Sequence, residues 1–461
     1  MTLVENLARF ITEISYEDLS HEVRKELKIR VLDSLGCAIG ALKGDPIQRI
    51  RAQVEDFGGF GYCTLIGGGK APPDHATLYN GALVRYLDFN DSYLAKGETC
   101  HPSDNLAAVL AASEYAKASG KKLLTALAAA YLVQCRLSDV APVRQRGFDH
   151  TVQGSYSVAA GVSKALGLGA KQTAHAIAIS GTATNALRVT RTGRLSHWKG
   201  LAFPFTAFGA ANAAFLAMRG ITGPMEVFEG NKGFMDSIAG PFEVNWSMGD
   251  LEAIRKTIIK KYNAEIHSQP SIEGILELKA ESGFTPERIE KIEIDIFDVA
   301  FHIIGGGEEG DKTRVRSKEE ADHSLPYMVA AAVLDGNVMP EQYHPDRIER
   351  SDIQDLLQKV IVRPNGDYSR RFPEEMPTRI TVFLEGGERL EKEKKGYEGF
   401  HARPMSWEQV VRKFNHLSAP HTEGAVQKRI IDTVARLEDA ETSDLVGLLE
   451  FGSRTDRSAE S

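Results

Sequence analysis

Apolar residues at helical spacing fill the first half of this 461-residue chain and constrain its fold most strongly. Leu19, Val23, Leu27, Val31 and Leu35 recur every four positions, which marks one buried face of a helix. The same reading predicts further helices at 76–87, 103–118, 122–136, 152–166, 171–181 and 203–218. These segments are rich in alanine and glycine, whose small side chains let helices pack closely. A large, mainly helical domain is therefore predicted.

The sequence pattern changes near residues 265–285. Residues 289–296 alternate apolar and charged side chains, the period of a half-exposed strand, and 360–362 and 379–383 predict further strands. Helical segments at 324–334 and 350–358 separate these strands, and helical patterns return at 407–414 and 426–437. We therefore predict a mainly α fold with an inserted α+β domain. Residues 1–268 and 405–461 form a discontinuous helical domain in this prediction, and residues 269–404 form the inserted α/β domain.

Charge and hydropathy restrict the classes of partner. The net charge of −8 argues against a general nucleic-acid binder, whose surface is normally basic. A local cluster of cations can still bind an anionic substrate inside an acidic protein. Glu114, Lys117 and Arg219 interrupt or flank the apolar segments, so membrane helices are not expected. The N-terminus has no basic region before its apolar part, as a secretory signal would have.

Several common functional motifs are missing from the sequence. The four cysteines are far apart and form no CxxC pair, so no zinc or iron–sulfur site is predicted, and reduced thiols in a cytoplasmic protein fit best. The chain has no GxGxxG between a strand and a helix, no P-loop, no GxSxG and no HExxH. Redox, kinase and zinc-hydrolase functions are therefore not favoured.

A short polar segment separates two of the predicted helices. It carries Asp88, Asp91, Ser92 and His101, and then Pro-Ser-Asp-Asn before an apolar helix. The two aspartates share a face if the preceding helix continues, and fan out at its C-terminus if it ends near residue 89; a solvated helix end is the alternative. The residues after His101 are good helix caps, which would place this histidine beside free amides where anions bind. A structural histidine is the other possibility.

Basic residues gather in three later segments. Arg146 and His150 lie in RQRGFDH. Residues 185–200 contain few acids and five basic or imidazole side chains: three arginines, of which two are Arg188 and Arg191, one histidine, and Lys199. Guanidinium pairs suit carboxylates, although solvated basic surfaces would explain both segments. Residues 260–267 (KKYNAEIH) fall at the predicted domain junction, where ligand sites are favoured. Tyr327 begins a helix in the insertion and could equally be a core aromatic.

The motifs in these segments resemble those of one known family. LDFND followed by HPSDN, then RGFDH, NALRVTR, HWKG, GPMEVFEGNKGF, KKYNAEIHSQ and ADHSLPYMVAAAVLDG occur in that order over nearly the whole chain. The sequence resembles the MmgE/PrpD family of 2-methylcitrate dehydratases, whose relatives include cis-aconitate decarboxylase and enzymes acting on aminated dicarboxylates. The resemblance implies a large helical domain built from both chain ends, a smaller α/β lid, a homodimer, and no cofactor or metal.

The resemblance also implies an active site. By similarity to the decarboxylase, the catalytic positions are Asp88, His101, His150, Lys199, Lys260 and Tyr327. Ser92 stands where the decarboxylase pattern has threonine, and Asn263 replaces a usual proline. The fit at His150 is shifted by one residue against some members, so Asp149 could take part of that role. The remaining predicted substrate contacts are Asp91, Arg146, Arg188 and Arg191.

The function implied is that of a hydro-lyase. It would remove water from 2-methylcitrate, a small polycarboxylate, to give 2-methyl-cis-aconitate in the methylcitrate cycle of propionate catabolism. His101 and His150 form the expected acid/base pair, without a choice of which is the acid; Asp88 orients one imidazole, the cations stabilise the enediolate, and Tyr327 contributes from the lid. Decarboxylation or epimerisation of a related polycarboxylate is the closest alternative, and a catalytically silent binding protein is the alternative from a different class.

Overall fold

The computed structural model describes residues 1–451, and the polar tail Gly452–Ser461 lies outside the described residues. The chain divides into two compact units. One, here called the helical unit, contains Met1–Arg188, Gly200–Thr257 and the chain from Ser406 onward; the other, the mixed unit, contains Val189–Lys199 and Ile258–Met405. The prediction of a mainly helical protein with some sheet is confirmed.

Nine α-helices precede the mixed unit's main segment, and they include every helix predicted for the first half. They are α1 (Leu3–Glu13), α2 (His21–Gly40), α3 (Asp45–Phe57), α4 (Pro73–Tyr86), α5 (Leu106–Tyr115), α6 (Gly120–Val140), α7 (Thr151–Leu166), α8 (Ala170–Ala183) and α9 (Trp198–Met218). Two small antiparallel hairpins join β1 (Cys63–Thr64) to β2 (Lys70–Ala71) and β3 (Tyr93–Ala95) to β4 (Glu98–Cys100). The pattern does not predict α3, because only three of its thirteen residues are buried.

Local chemistry explains where these helices start and how closely they pack. Ser20, a predicted cap, begins α2, and its Oγ accepts the Val23 amide at 3.2 Å. Gly161 on α7 faces α5 and α6 with no room for a side chain. A Cβ at this position would lie 2.8 Å from Val109 Cγ2 and 2.9 Å from Ala130 Cβ. The small residues of the sequence are therefore used for close helix contacts.

Two helices, α6 and α9, are long and apolar enough to cross a membrane if length and composition alone are considered. In an apolar 18-residue stretch of each helix, 83% of the α6 stretch and 56% of the α9 stretch is buried within the protein. Core helices pass the same test of length and composition.

The mixed unit contains a four-stranded sheet and short helices. Its helices are α10 (Gln269–Ser282), α11 (Asp298–Ile304), α12 (Lys318–Ala321), α13 (Leu325–Asp335), α14 (Pro345–Ile348), α15 (Ser351–Leu357) and α16 (Gly366–Arg371). Its strands are β5 (Ile289–Ile296), β6 (Val360–Pro364), β7 (Thr378–Leu384) and β8 (Arg389–Lys394). The sheet order is β6-β5-β7-β8, with β5 and β6 parallel and the other pairs antiparallel.

Three of these strands are predicted from the sequence, and β8 is not. In β5 the alternation predicts the burial pattern, with Ile292, Ile294 and Ile296 fully buried. By contrast, β8 reads RLEKEK and lies at an edge of the sheet. Charged residues are common on edge strands because they discourage pairing with other chains, and they leave little apolar signal for a strand.

The chain returns to the helical unit with α17 (Trp407–Ser418), α18 (Gly424–Ala435) and α19 (Thr442–Gly447). Lys413 on α17 is buried, and its Nζ lies 2.7 Å from Asp33 Oδ1 on α2. Burial raises the pKa of Asp33, and the charge of Lys413 opposes that shift. The same ammonium donates to the carbonyl of Phe89 at 2.8 Å, in the segment that follows α4. A helix from the C-terminal part of the chain therefore holds the polar segment in place.

This buried ion pair gives a stability prediction. Lys413→Met leaves the Asp33 carboxylate buried without its cation, and we expect the free energy of unfolding to fall by about 3–5 kcal/mol in chemical denaturation. Lys395→Met is the matched control, because Lys395 is largely exposed and its Nζ is as far as 4.0 Å from Glu375 Oε1. Loss of this weak surface pair should lower the free energy of unfolding by less than about 1 kcal/mol. The double variant Asp33→Asn/Lys413→Met should recover part of the loss. Equal instability of the single and double variants would contradict this account.

Candidate active site

The segment from 87 to 105, here called the polar loop, begins with a strained aspartate. Asp88 follows the end of α4 and has φ +55°, a left-handed conformation that is uncommon for a residue with a side chain. Its carboxylate accepts a hydrogen bond from Arg85, three residues earlier. The Arg85 guanidinium also donates to Asn90 Oδ1 at 3.3 Å. The helix thus ends before the two aspartates, and the ion pair with Arg85 compensates Asp88 for its position at a helix C-terminus.

Asp91 is fully buried, and both of its carboxylate oxygens accept hydrogen bonds from the protein. Oδ1 accepts the Ser103 amide at 2.9 Å, and Oδ2 accepts the Tyr131 hydroxyl at 2.8 Å. Burial raises the pKa of Asp91, and these hydrogen bonds oppose the shift. We predicted that Asp91 binds substrate and that an anion sits at the helix start after His101. The protein's own Asp91 carboxylate binds that amide instead, so Asp91 organises the loop.

The predicted helix caps also have a different use. Residues Pro102–Asn105 form a 3-10 turn, and α5 starts only at Leu106. The side-chain amide of Asn90 donates to Ser103 Oγ at 2.9 Å and to Asp104 Oδ1 at 2.8 Å. These contacts join the two ends of the polar loop, and they replace the capping role expected for Ser103 and Asp104.

His101 is held in one tautomer by the loop. Its Nδ1 lies 2.7 Å from the Asp91 carbonyl oxygen and 3.1 Å from Ser92 Oγ. A carbonyl oxygen can only accept, so Nδ1 carries the hydrogen. In the neutral ring the lone pair is then on Nε2, which is the form required of a base. Ser92 is fully buried and its hydroxyl contacts the imidazole.

His150 is held by a carboxylate. Its Nδ1 lies 3.2 Å from Oδ1 of Asp149, the preceding residue in the sequence, and that oxygen also accepts the Thr151 amide at 3.1 Å. The rings of His101 and His150 are in edge contact, with centroids 5.3 Å apart and an angle of 70° between their planes. The structure thus brings together Ser92 and both predicted histidines, and it places the Asp149 carboxylate against His150. The prediction that Asp88 orients one of the two imidazoles stays a prediction.

Two opposing fields act on His150. It precedes α7, and the positive end of a helix disfavours an imidazolium by about 0.3–1 kcal/mol. A carboxylate favours it by about 4 kcal/mol at a separation of about 4 Å and an effective dielectric of about 20. Asp149 is fully buried and His150 is 3% exposed, so solvent screening between them is small. Of these two influences the carboxylate is the stronger, and it acts in favour of the protonated ring.

A second cluster of buried charges lies in the mixed unit. Lys199 Nζ is 2.7 Å from Asp322 Oδ1 and 2.8 Å from His323 Nδ1. Lys318 Nζ is 2.8 Å from the other oxygen of Asp322. Burial alone would raise the pKa of the Asp322 carboxyl, but the charges of Lys199 and Lys318 and the hydrogen bond from His323 hold it well below its usual range. Asp322 is thus an anion that fixes two ammonium groups.

Lys260 belongs to a neighbouring group of charges in the same unit. Its side chain is 1% exposed. Burial would raise the pKa of Glu265, but His267, His323 and Lys260 together lower it to about 2. His267 Nδ1 lies 2.7 Å from Glu265 Oε1. The adjacent Lys261 binds Glu273 and Glu398 at 3.2 and 2.9 Å. The role of Lys260 in the site stays a prediction.

Other predicted site residues lie in different surroundings. The Tyr327 hydroxyl donates to the Gln342 carbonyl oxygen and its side chain is fully buried, so the core-aromatic alternative describes it better than a lid residue. Arg146 is exposed and its guanidinium packs against Gly240, which gives no support to a substrate contact.

The two remaining arginines occupy a short 3-10 turn, Arg188–Arg191, and not the α-helix that their spacing suggested. Arg188 is half-buried in the helical unit, where its charge lowers the pKa of Glu98 against the larger opposing effect of burial. Arg191 is 7% exposed in the mixed unit. A contact of Arg188 or Arg191 with a substrate carboxylate stays a prediction.

The sequence reading missed His323, and it gave Asp149 part of the His150 role without predicting that Asp149 contacts that ring. Each belongs to an Asp-His pair, Asp149-His150 or Asp322-His323, in which the aspartate contacts Nδ1 of the following histidine, at 3.2 and 2.8 Å. The repeated dipeptide is visible in the sequence. A carboxylate next to an imidazole fixes the ring and favours its charged form, so the repeat would have indicated both partners.

Comparison with known proteins identifies the family. Residues 5–247 match the MmgE/PrpD N-terminal domain, and residues 262–439 match the MmgE/PrpD C-terminal domain. The chain is 25% identical to the cis-aconitate decarboxylase of Mus musculus, over 100% of this chain and 96% of that protein. It is 26% identical to the 2-methylcitrate dehydratase of Salmonella typhimurium, over 94% and 95% of the two chains. It is 28% identical to a fungal alkylcitrate dehydratase, over 93% and 88%. The chain therefore belongs to the MmgE/PrpD family.

Proposed function

We propose that the protein is a 2-methylcitrate dehydratase-like hydro-lyase that removes water from a compact polycarboxylate. The observation that carries the proposal is the buried pair of histidines, His101 and His150, whose rings are in contact and whose Nδ1 atoms are each held by a different partner. The names of the relatives support the reaction class, because a 2-methylcitrate dehydratase and an alkylcitrate dehydratase are among them.

Dehydration next to a carboxylate requires two proton transfers. A base must remove a weakly acidic proton from the carbon beside the carboxylate, and an acid must protonate the hydroxyl group because hydroxide is a poor leaving group. Imidazoles can do both near neutral pH. His101 and His150 are close enough together to act on neighbouring atoms of one small substrate. Their burial also keeps bulk water from competing for the protons.

The proposal assigns the developing negative charge to buried cations. The carboxylate that accepts charge from the broken C–H bond becomes enediolate-like, and fixed cations stabilise it, usually as the largest catalytic contribution. Lys199 is suited to this role because the Asp322 carboxylate fixes its ammonium group. Lys260, Arg188 and Arg191 are the further proposed ligands for substrate carboxylates. A homodimer, a cytoplasmic location and a role in propionate catabolism stay predictions.

Decarboxylation is the second candidate reaction. The cis-aconitate decarboxylase of Mus musculus matches this chain over its whole length, at an identity similar to that of the dehydratases. A base and a cation at a carboxylate would serve either reaction, so the products must separate them. Epimerisation of a related dicarboxylate and a catalytically silent binding role are the remaining alternatives.

The identity of the product is the first measurement that tests the proposal. We expect chelator-treated protein to convert a stereoisomer of 2-methylcitrate, or a citrate with a longer alkyl chain, to the corresponding cis-aconitate, followed by NMR. Citrate and cis-aconitate are the comparison substrates. Itaconate and carbon dioxide from cis-aconitate would contradict the dehydratase and favour the decarboxylase. No change in any of these compounds would contradict both.

The histidine pair gives the second test. His101→Gln and His150→Gln should each lower kcat by about 10²–10⁴-fold, because each removes one proton-transfer group. His175→Gln is the matched control, since His175 is also a buried histidine of the helical unit, where its Nδ1 accepts the Gly223 amide at 3.3 Å. Circular dichroism of all three variants verifies folding. Turnover by a folded His101→Gln protein at the wild-type rate would refute the assignment.

Lys199 gives the third test. Lys199→Met should lower kcat/KM by about 10²–10³-fold, as expected when one donor to a developing oxyanion is removed. Lys199→Arg keeps the charge and should retain more activity. Lys261→Met is the control for loss of a lysine in the mixed unit, since Lys261 is paired with Glu273 and Glu398. If Lys199→Met and Lys261→Met lose equal activity, the special role of Lys199 is wrong.

A further inference from the structure

We infer that the two histidines divide the proton transfers unequally: His101 is the general base, His150 is the general acid, and Asp149 is the positioning residue that keeps His150 protonated. The inference deepens the proposed function and rests on it. It follows from the different partners that the fold gives to two neighbouring imidazoles, and the proposed function itself requires only that one is the acid and the other the base.

The contacts of His101 suit a ring that starts the reaction neutral. Two uncharged oxygens lie against its Nδ1, the Asp91 carbonyl oxygen at 2.7 Å and Ser92 Oγ at 3.1 Å. They fix the hydrogen on Nδ1 and leave the lone pair on Nε2. Asp91 cannot turn away, because its carboxylate is held by the Ser103 amide and the Tyr131 hydroxyl. The backbone therefore orients the imidazole and leaves its Nε2 lone pair able to accept a proton.

The contacts of His150 suit a ring that starts the reaction charged. Asp149 places a fully buried carboxylate 3.2 Å from Nδ1, and a nearby carboxylate in a dry site favours the imidazolium. Titratable or charged groups near this pair in the helical unit include His101, in ring contact, and Glu98. Burial raises the pKa of Glu98, the charge of Asp149 raises it further, and the charge of Arg188 opposes the shift. The imidazolium carries its second hydrogen on Nε2, ready to be given to a leaving oxygen.

The resulting step is balanced. Nε2 of His101 takes the proton beside the carboxylate, and the electrons of that C–H bond form the C=C bond. The C–O bond breaks with both electrons on oxygen, and Nε2 of His150 gives its proton so that water leaves. His101 ends as the imidazolium and His150 as the neutral ring. Loss of one proton from His101 and gain of one by His150 restore the starting state.

A change of leaving group separates the two roles. Fluoride departs without protonation, so an analogue of the active substrate with fluorine in place of the hydroxyl group needs a base but no acid. We expect His150→Gln to lose about 10²–10⁴-fold on the hydroxy acid but to stay within about tenfold of wild type on the fluoro acid. His101→Gln should lose about 10²–10⁴-fold on both substrates. The reverse pattern would overturn the assignment.

Asp149→Asn tests the positioning role. Asparagine keeps an oxygen for the Thr151 amide, so the start of α7 should remain intact while the charge beside His150 is removed. We expect a loss of about 10²–10³-fold on the hydroxy acid, little loss on the fluoro acid, and a fall of the alkaline limb of the pH–kcat profile to lower pH. Asp139→Asn is the control, because Asp139 accepts the Tyr93 hydroxyl at an exposed position in the same unit. An Asp149→Asn variant with the wild-type profile would refute the role.

The remaining outcomes separate this inference from the proposed function. Wild-type protein that transforms no hydroxy acid contradicts the proposed function, and the division of roles falls with it. If the wild-type protein removes water but not fluoride, the base is tested by exchange of the substrate hydrogen with deuterium from D2O. His150→Gln should retain this exchange, and His101→Gln should lose it. Equal loss of exchange in both variants would overturn the division of roles while leaving the dehydratase intact. Thermal unfolding of each variant excludes loss of structure as the cause.

Discussion

The arrangement of the candidate site depends on the buried carboxylate of Asp91. Its two oxygens connect the polar loop to the start of the next helix through the Ser103 amide and to α6 through the Tyr131 hydroxyl. Its backbone carbonyl fixes the Nδ1 hydrogen of His101. A carboxylate removed from water is unfavourable unless its lone pairs are satisfied, so the loop is stable only in a conformation that keeps these donors in place. The tautomer of His101 is thus set by the requirement to satisfy Asp91.

The helices around the loop make this arrangement rigid. Tyr131 lies on α6, which packs against α7, where the absence of a side chain at Gly161 allows close approach. His150 directly precedes α7, so the contact between the two imidazoles depends on the same packing. From the other side, Lys413 of α17 binds both Asp33 and the Phe89 carbonyl. Residues more than three hundred positions apart therefore fix one short segment, because the chain returns to the helical unit after the mixed unit.

The sequence predicts the fold better than the site, for a physical reason. Helical periodicity and the alternation in β5 are local signals, and the structure has helices and a strand where they occur. The sequence predicts His101, His150 and Ser92 as site residues because they lie in polar segments and in motifs that resemble the family. In the structure His101 contacts both Ser92 and His150. The partners of these residues are not local: Asp91 acquires its role only by contact with Tyr131, forty positions away. The ion pair of Asp88 with Arg85 likewise depends on the backbone, because α4 ends at Tyr86 and a positive φ turns the chain at Asp88.

The two Asp-His pairs show how one local element can serve two kinds of chemistry. In the helical unit Asp149 faces a histidine that is in contact with a second histidine. In the mixed unit Asp322 faces His323 and also the ammonium groups of Lys199 and Lys318, so one carboxylate is surrounded by two permanent cations. Two ammonium groups around one carboxylate give the mixed-unit pair a local positive charge that suits a carboxylate ligand. The contact between two imidazoles gives the helical-unit pair the kind of group that exchanges protons near neutral pH. The same dipeptide therefore acquires its chemical character from the side chains that the fold places beside it.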